Sequence, residues 1–396
     1  MRQAVIIDGA RSPFVKARPD GAFSGLHPVD LHAQVLAGLI ERTGVDPGSV
    51  EDVITGCVLQ VAEQSANIAR QATLAAGFPE HVPGVTLDRK CGSAQQAIDF
   101  AAWGVIAGAY DAAIAGGVEM MSVVPMRSNR MGKDNLGTAF RNRYPTGLVH
   151  QGISAELIAA RWSVSRAEQD AYALRSHHRA VQAQAAGHLD KQIVPIRLGD
   201  HGATTITRDD GLRADTSEAK LASLRPAFED PATKERFAQI NWSVTAGNAS
   251  QVTDGSTALL VMEENHARRL GLRPRARIKS FAVVGDDPYL MLTGIIPATH
   301  KLFDRARLAI GDIDVFEVNE AFASVVIAWM REFDPLPEKV NPMGGAIAYG
   351  HPVGASGGRL MLNMLDHLER TGGRYGLQVM CESGGMANAT LIERCD

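Results

Sequence analysis

Two cysteines and one histidine stand in settings that suit covalent chemistry. Cys91 lies in L-D-R-K-C-G-S-A-Q-Q-A-I, and from Ser93 the residues Ala94, Ala97, Ile98, Ala101, Val105 and Ile106 recur at helical spacing. That places Cys91 at a helix N-terminus, where the positive end of the dipole and a nearby cation would lower the cost of a thiolate. A cysteine after a strand is also a common small buried hydrophobe. The C-G-S setting, with Lys90 before it, weighs toward a nucleophile activated by helix and base. Cys381, in V-M-C-E-S-G-G-M-A-N-A, precedes glycines that let backbone N–H groups converge on a developing oxyanion. A thiol there can serve as acid and base toward a carbon or sulfur leaving group. His351 sits in N-P-M-G-G-A-I-A-Y-G-H-P-V-G-A-S-G-G-R, 341 to 359, whose glycines read as a shaped loop leading into a helix rather than a packed element. Its imidazole is the side chain there with an ordinary pKa near neutrality. Asn319, in V-N-E-A-F-A-S-V-V, either caps a helix or offers an amide that holds a water in an anion site. Cys57 and Cys395 have no polar cluster in sequence and read as structural or incidental.

The elements that must position these groups alternate between strand and helix. Ala4 to Asp8, Val53 to Leu59, Gly84 to Asp88 and Ala112 to Ala115 read as strands, with helices across Pro28 to Arg42, Gln64 to Ala76 and Ser93 to Gly108. Between about Ser122 and Gln251 the pattern changes to polar helices and long connections, with candidates at Glu156 to Ala160, Arg166 to Ala186 and Glu218 to Leu224, which reads as an inserted loop domain. The opening pattern then returns: strands at Ala276 to Val284, Val315 to Val318 and Leu377 to Cys381, and helices at Pro297 to Ala309, Ala321 to Glu332 and Leu360 to Glu369. A strand, a reactive residue, a helix, a strand and Gly-Gly occur at 85 to 117 and again at 341 to 385, and the alternation of strands and helices argues for an α/β fold.

Composition bounds the reading. The 396 residues exceed one comfortable core, and 45% apolar with 21% charged residues suits a globular enzyme. A net charge of -4 gives no groove for nucleic acid and no attraction to an anionic membrane. The absence of a long apolar run predicts no membrane span, and the start lacks the pattern of a secretory signal. Four cysteines without zinc-type spacing predict no disulfide framework and no metal site, which fits a reducing cytoplasm.

Together, C-G-S-A at Cys91, T-A-G-N-A-S at 245 to 250, N-E-A-F-A at 319 to 323, G-G-A-I-A-Y-G-H-P-V-G-A-S-G at 344 to 357 and Cys381 before glycines resemble the thiolases, the acetyl-CoA acyltransferases. The similarity runs in order over nearly the whole chain. It implies a thiolase fold, an α/β/α/β/α arrangement of two similar halves: 1–121 plus 252–272, and 273–396. A loop domain, 122–251, covers the coenzyme A site. It implies thiolytic cleavage of 3-oxoacyl-CoA, or the reverse Claisen condensation, in fatty acid metabolism, by a homodimer or homotetramer with coenzyme A as substrate and no cofactor. By position Cys91 is the acylated nucleophile, His351 its base, Cys381 the acid/base and Asn319 the holder of an oxyanion-hole water. The backbone amides of Cys91 and Ser383 form a second oxyanion hole. Ser383 and Ala387 occupy usual glycine positions, and a positive φ at Ser383 would cost about 1 to 3 kcal/mol. Ser250 matches a pantetheine contact and Arg213 an arginine near the adenine. Gln151, Met291 and Phe322 match acyl-pocket positions, where the polar Gln151 points to something other than a plain short acyl group. A ketosynthase-type condensing enzyme would use one cysteine and two histidines, and a silent lipid-binding or scaffold protein would not need the full set of reactive groups.

Overall fold

All eleven residues of Thr253–Glu263 are buried, so this strand runs on in small and apolar side chains without the alternation of a half-exposed one. It lies within the large sheet of the computed structural model, which describes residues 2–199 and 202–395. The principal strands are β1 (Ala4–Arg11), β2 (Asp52–Gly56), β3 (Gly84–Leu87), β4 (Ala112–Met120), β5 (Thr253–Glu263), β6 (Ala276–Gly285), β7 (Val315–Val318), β8 (Tyr375–Glu382) and β9 (Met386–Arg394). Across the sheet they run β7-β8-β9-β6-β1-β5-β4-β2-β3. The pairs β2–β3, β2–β4 and β7–β8 are parallel, and the others are antiparallel. The join between β1 and β6 is short, Val5 opposite Arg277 and Ile6 opposite Ala276.

Eight helices matter for the site: α1 (Pro28–Thr43), α2 (Ile68–Ala75), α3 (Ser93–Ala107), α4 (Gln151–Arg161), α5 (Arg166–Ala185), α6 (Ile295–Ala306), α7 (Ala323–Phe333) and α8 (Ser356–Thr371). Their ends follow local chemistry. Proline opens α1 and Gly44 closes it at φ 66, while Ser165 and Glu168 form a capping box on α5. Three apolar cores give five layers. Leu31, Leu36 and Ile68 from α1 and α2 pack on Val5, Val118 and Leu260, one face of the first half. Ile98 and Val105 of α3 meet Met361 and Leu365 of α8 between the two halves. Leu302, Val326 and Trp329 of α6 and α7 cover Val379 and Leu391 on the far face.

Several expectations change on contact with the structure. The second strand stops at Gly56, because the N–H groups of Val58 and Leu59 turn to the Glu119 carboxylate instead of a ladder. The helix read from Gln64 begins at Ile68, after a 3-10 turn and Asn67 at φ 62. The 341 to 359 stretch is almost wholly buried and contains a one-turn helix, Ala346–Tyr349, so it is a packed element after all. Strand β9 has no counterpart among the expected elements; it returns antiparallel through the turn after β8. The segment before β5 is locked to β1 by a bidentate pair, with Arg11 Nη1 and Nη2 at 2.7 and 2.8 Å from Asp209, and Asp209 also accepts from the Phe14 N–H. Removing one partner of a buried pair strands the other charge. Asp209→Ala is expected to lower the free energy of urea unfolding by about 3 to 5 kcal/mol; a loss below about 1 kcal/mol, the range of exposed pairs, would contradict this reading.

Candidate functional site

The loop that carries His351 is held from three sides. The His351 N–H donates to the Gln251 carbonyl at 2.9 Å and to Thr253 Oγ1 at 3.1 Å. Gln251 Nε2 in turn donates to the carbonyls of Gly211, Ile347 and Ala348 at 2.9 to 3.0 Å. Gly350, at φ 94, admits this approach, since a Cβ on it would lie 1.9 Å from Thr253 Oγ1. On the far side, the buried Glu320 carboxylate accepts from Tyr172, Ser176, Asn341 and the Ile347 N–H at 2.7 to 3.1 Å. These contacts tie the loop to the end of β7, where Asn319 stands.

The imidazole is buried with a defined hydrogen-bond pattern. Nδ1 lies 2.6 Å from Ser356 Oγ, and that hydroxyl donates to the Pro352 carbonyl at 3.0 Å. The hydroxyl proton being used, Ser356 accepts from Nδ1–H, which assigns the lone pair to Nε2. Nε2 is buried and has no partner within the chain. Burial, helped by the Arg359 guanidinium, pushes the His351 pKa down to about 3, so the ring is a neutral base.

Cys91 precedes α3, whose N-cap is Gly92. Its thiol is pushed up, first by burial and then by the neighbouring Cys381 and Glu382. The backbone N–H groups of Ser383 and of Cys91 itself pull the other way. This corrects the expected low-cost thiolate. Lys90 turns its ammonium to Asp88 at 2.5 Å, and the charged side chain that acts on Cys91 is Glu382. Cys381 lies within β8, buried, its thiol pushed up to about 12 by burial and Glu382, with the Asn319 amide opposing that shift. Asn319 is not a cap, because α7 begins at Ala323 with Phe322 at its N-cap. Both its amide atoms are buried and, apart from their approach to the Cys381 thiol, without a partner in the chain. Glu382, which follows Cys381, is also buried, its pKa raised to about 9 by burial. The anticipated strain at Ser383 does not arise: Gly384 and Gly385 take the positive φ values, 90 and 76, and Ala387 pairs with Cys381 in the ladder.

The other predicted positions divide into two groups. Ser250 donates its N–H to the Ala321 carbonyl at 3.0 Å, beside Phe322. Met291 and Phe322 share a core cluster with Cys381, and the Phe322 ring stacks edge-on with Phe228, which meets the His150 ring just before Gln151. Met291 holds an unusual φ of 53. Arg213 is exposed, its N–H donating to His177 Nδ1 at 3.3 Å. A surface cavity of about 900 Å³ beside the T-A-G-N-A-S turn is lined instead by Arg225, Lys234, Asp230 and Ala246. Arg225 stands in L-R-P-A-F, downstream of Arg213, and neither it nor Ser356 carries a spacing signal of its own. Cys57 is not free of polar neighbours, its sulfur lying 3.9 Å from Glu119. Among the described residues no group of three or more His, Cys, Asp or Glu side chains is arranged for a metal ion.

Comparison with known proteins places these features in a context. Residues 4–265 match the model of the thiolase N-terminal domain, and residues 272–394 that of the thiolase C-terminal domain. The chain is 46% identical over 402 residues to a steroid 3-ketoacyl-CoA thiolase of Mycobacterium tuberculosis, covering all of this chain and 95% of that one. It is 42% identical over 404 residues to a 3-ketoacyl-CoA thiolase of Aliivibrio salmonicida, covering both completely. The crystal structure of the Bacillus anthracis acetyl-CoA acetyltransferase superposes with a TM-score of 0.89 at 37% identity, covering 100% of this chain and 99% of that one.

A base that depends on one tautomer is sensitive to the group that fixes it. Ser356→Ala is expected to lower kcat by about 10²-fold while KM changes little, because misplacing a reacting group acts on the transition state. An unchanged kcat would remove Ser356 from the site.

Proposed function

The chain belongs to the thiolase family, and from that premise we propose that it moves acyl groups between coenzyme A and Cys91, cleaving 3-oxoacyl-CoA to acetyl-CoA and a shortened acyl-CoA or running the reverse condensation. The observations that carry the assignment of roles are the neighbouring buried thiols, Cys91 and Cys381, and a buried neutral imidazole at His351 with an unbonded Nε2. In cleavage, Cys91 Sγ attacks the 3-oxo carbon and gives its proton to His351 Nε2. The bond between C2 and C3 breaks. The oxygen of the departing acetyl-CoA enolate is met by the His351 imidazolium and a water on the buried Asn319 amide, and its carbon takes a proton from Cys381. The Cys381 thiolate then takes the proton of incoming coenzyme A, whose sulfur attacks the acyl-Cys91 thioester. The Cys91 thiolate leaves and recovers its proton from His351. The amides of Cys91 and Ser383 stabilise the oxyanion at the acyl carbon.

Ser250, Phe322, Met291 and Gln151 line the path of pantetheine and acyl chain in this reading, and the Arg225 cavity receives the polar end of coenzyme A, with Arg213 assigned to the adenine. The division into 1–121 plus 252–272, 122–251 and 273–396 follows from the same proposal, since the strands of the two halves fall on either side of the β1–β6 join. A second copy of the chain suits the edge strand β3, where Val85 is exposed, so a homodimer or tetramer is proposed. No helix among the described residues is long and apolar enough to cross a membrane, and the four cysteines are unpaired, which suits the cytoplasm. Both half-reactions draw on protein thiols and substrate alone, so no cofactor is assigned.

The two cysteines are separable. Cys381→Ser is expected to accept an acyl group on Cys91 yet lose thiolysis by about 10²- to 10⁴-fold, the range for positioned acid–base catalysis. Cys91→Ala should lose both, as read by peptide mass spectrometry after incubation with acetyl-CoA. Near-wild-type thiolysis in Cys381→Ser would reject the two-cysteine scheme. A kcat/KM panel of short linear, long linear and ring-bearing 3-oxoacyl-CoA substrates then assigns the acyl class.

A further inference from the structure

A buried carboxyl group that the reaction does not consume connects the parts that must stay in register. Glu119, near the end of β4, is fully buried and accepts from the Val58 N–H at 2.8 Å, the Leu59 N–H at 3.2 Å, Gln64 Nε2 at 2.7 Å and the Gly354 N–H at 3.1 Å. Gly354 stands three residues beyond His351. Val58, Leu59 and Val353 pack with Cys91 in one apolar cluster. One carboxylate therefore joins the His351 loop to the wall over the nucleophile. The fit is close: a Cβ on Gly354 would lie 2.7 Å from Glu119 Oε2.

We propose that Glu119 is a positioning residue, holding His351 and the Cys91 wall in register through its ionised carboxylate, and that its protonation sets the acid limb of turnover. The inference rests on the roles given above to Cys91 and His351. Four N–H donors and, at longer range, the Cys57 thiol converge on the group, and an ionised carboxylate is acceptor-only, so it serves them all. A protonated one turns an O–H toward an N–H and releases at least one donor. Among the described residues no cation pairs with Glu119, and burial raises its pKa to about 7 against the pull of the four hydrogen bonds. Its titratable surroundings leave it the group poised near neutrality on this seam. Cys57, after β2, is a thiol 3.9 Å from the carboxylate, pushed up by burial and then by Glu119 itself. Asp254 on β5 turns its carboxylate to Ser122, and His32 on α1, at about 3, faces Ser256 and Thr55. On α8, Arg359 lies over the Tyr349 ring. His351 at about 3 and the raised thiols do not titrate near neutrality either.

The sign follows from the raised value. As pH falls through about 7 the carboxylate takes up a proton, so activity is full above that point and lost below it. The test is the pH profile of kcat for the best substrate of the panel, in wild type, Glu119→Gln and Gln64→Met. Wild type is expected to show an acid limb with its midpoint near about 7. Glu119→Gln should lose that limb and fall about 10²-fold in kcat with KM little changed. Gln64→Met removes one donor at similar volume and should raise the midpoint by about one pH unit. A limb that persists in Glu119→Gln, or a midpoint unmoved in Gln64→Met, overturns the proposal. The wild-type and Gln64→Met profiles decide it even should Glu119→Gln not fold. Acylation of Cys91 followed separately by mass spectrometry keeps the thiolase reading standing or falling on its own.

Discussion

Removing the His351 imidazole from water holds it neutral, and the rest of the site is arranged around that constraint. A solvated ring of ordinary basicity is partly protonated at neutral pH, and the protonated fraction lacks the lone pair on which base catalysis depends. The same burial keeps both thiols protonated at rest. In the proposed reaction charge appears only as it proceeds, and the groups proposed to meet it are the amides of Cys91 and Ser383 and the buried amide of Asn319. Preorganised dipoles in a dry site act more strongly than the same dipoles in water.

Such a site needs backbone held at close range, which explains why so much of the polar structure lies around the catalytic groups and not in them. Glu320, Gln251, Thr253 and Glu119 each hydrogen-bond to the 341–359 stretch, and Ser356 within it fixes the imidazole. The seam between the halves serves the same end. Gln95 and Gln378 exchange a hydrogen bond across it at 3.1 Å, and α3 and α8 share one core there, so Cys91 and His351 enter the site from helices that are packed together.

The reactive groups are legible in the sequence because their chemistry demands unusual local patterns. Glycines beside histidine, and cysteine between a strand and a helical pattern, are hard to explain by packing alone, and the alternation of elements around them points to the α/β class. What escapes a reading of the sequence is set by distant contacts. Lys90 looks like a cation for Cys91, but Asp88 two residues earlier captures it. Asn319 looks like a cap because helix starts vary by several residues in sequence, whereas the ladder carries the chain past it, its N–H donating to the Val379 carbonyl. Serine in a glycine position looks strained, yet the turn places its positive φ on the two glycines after it. The buried 341–359 stretch looks too broken to pack, because its partners come from 172–176, 251–253 and 320, far along the chain.

The central claim is that the resting site holds neutral thiols beside a neutral imidazole, not a thiolate–imidazolium pair. Ultraviolet thiolate absorbance of the ligand-free enzyme, compared between wild type, Cys91→Ala and Cys381→Ala across the pH range, tests this most directly. No thiolate signal is expected from either cysteine at neutral pH, with both appearing only in strongly alkaline solution. A neutral-pH thiolate absorbance that disappears in Cys91→Ala would contradict it.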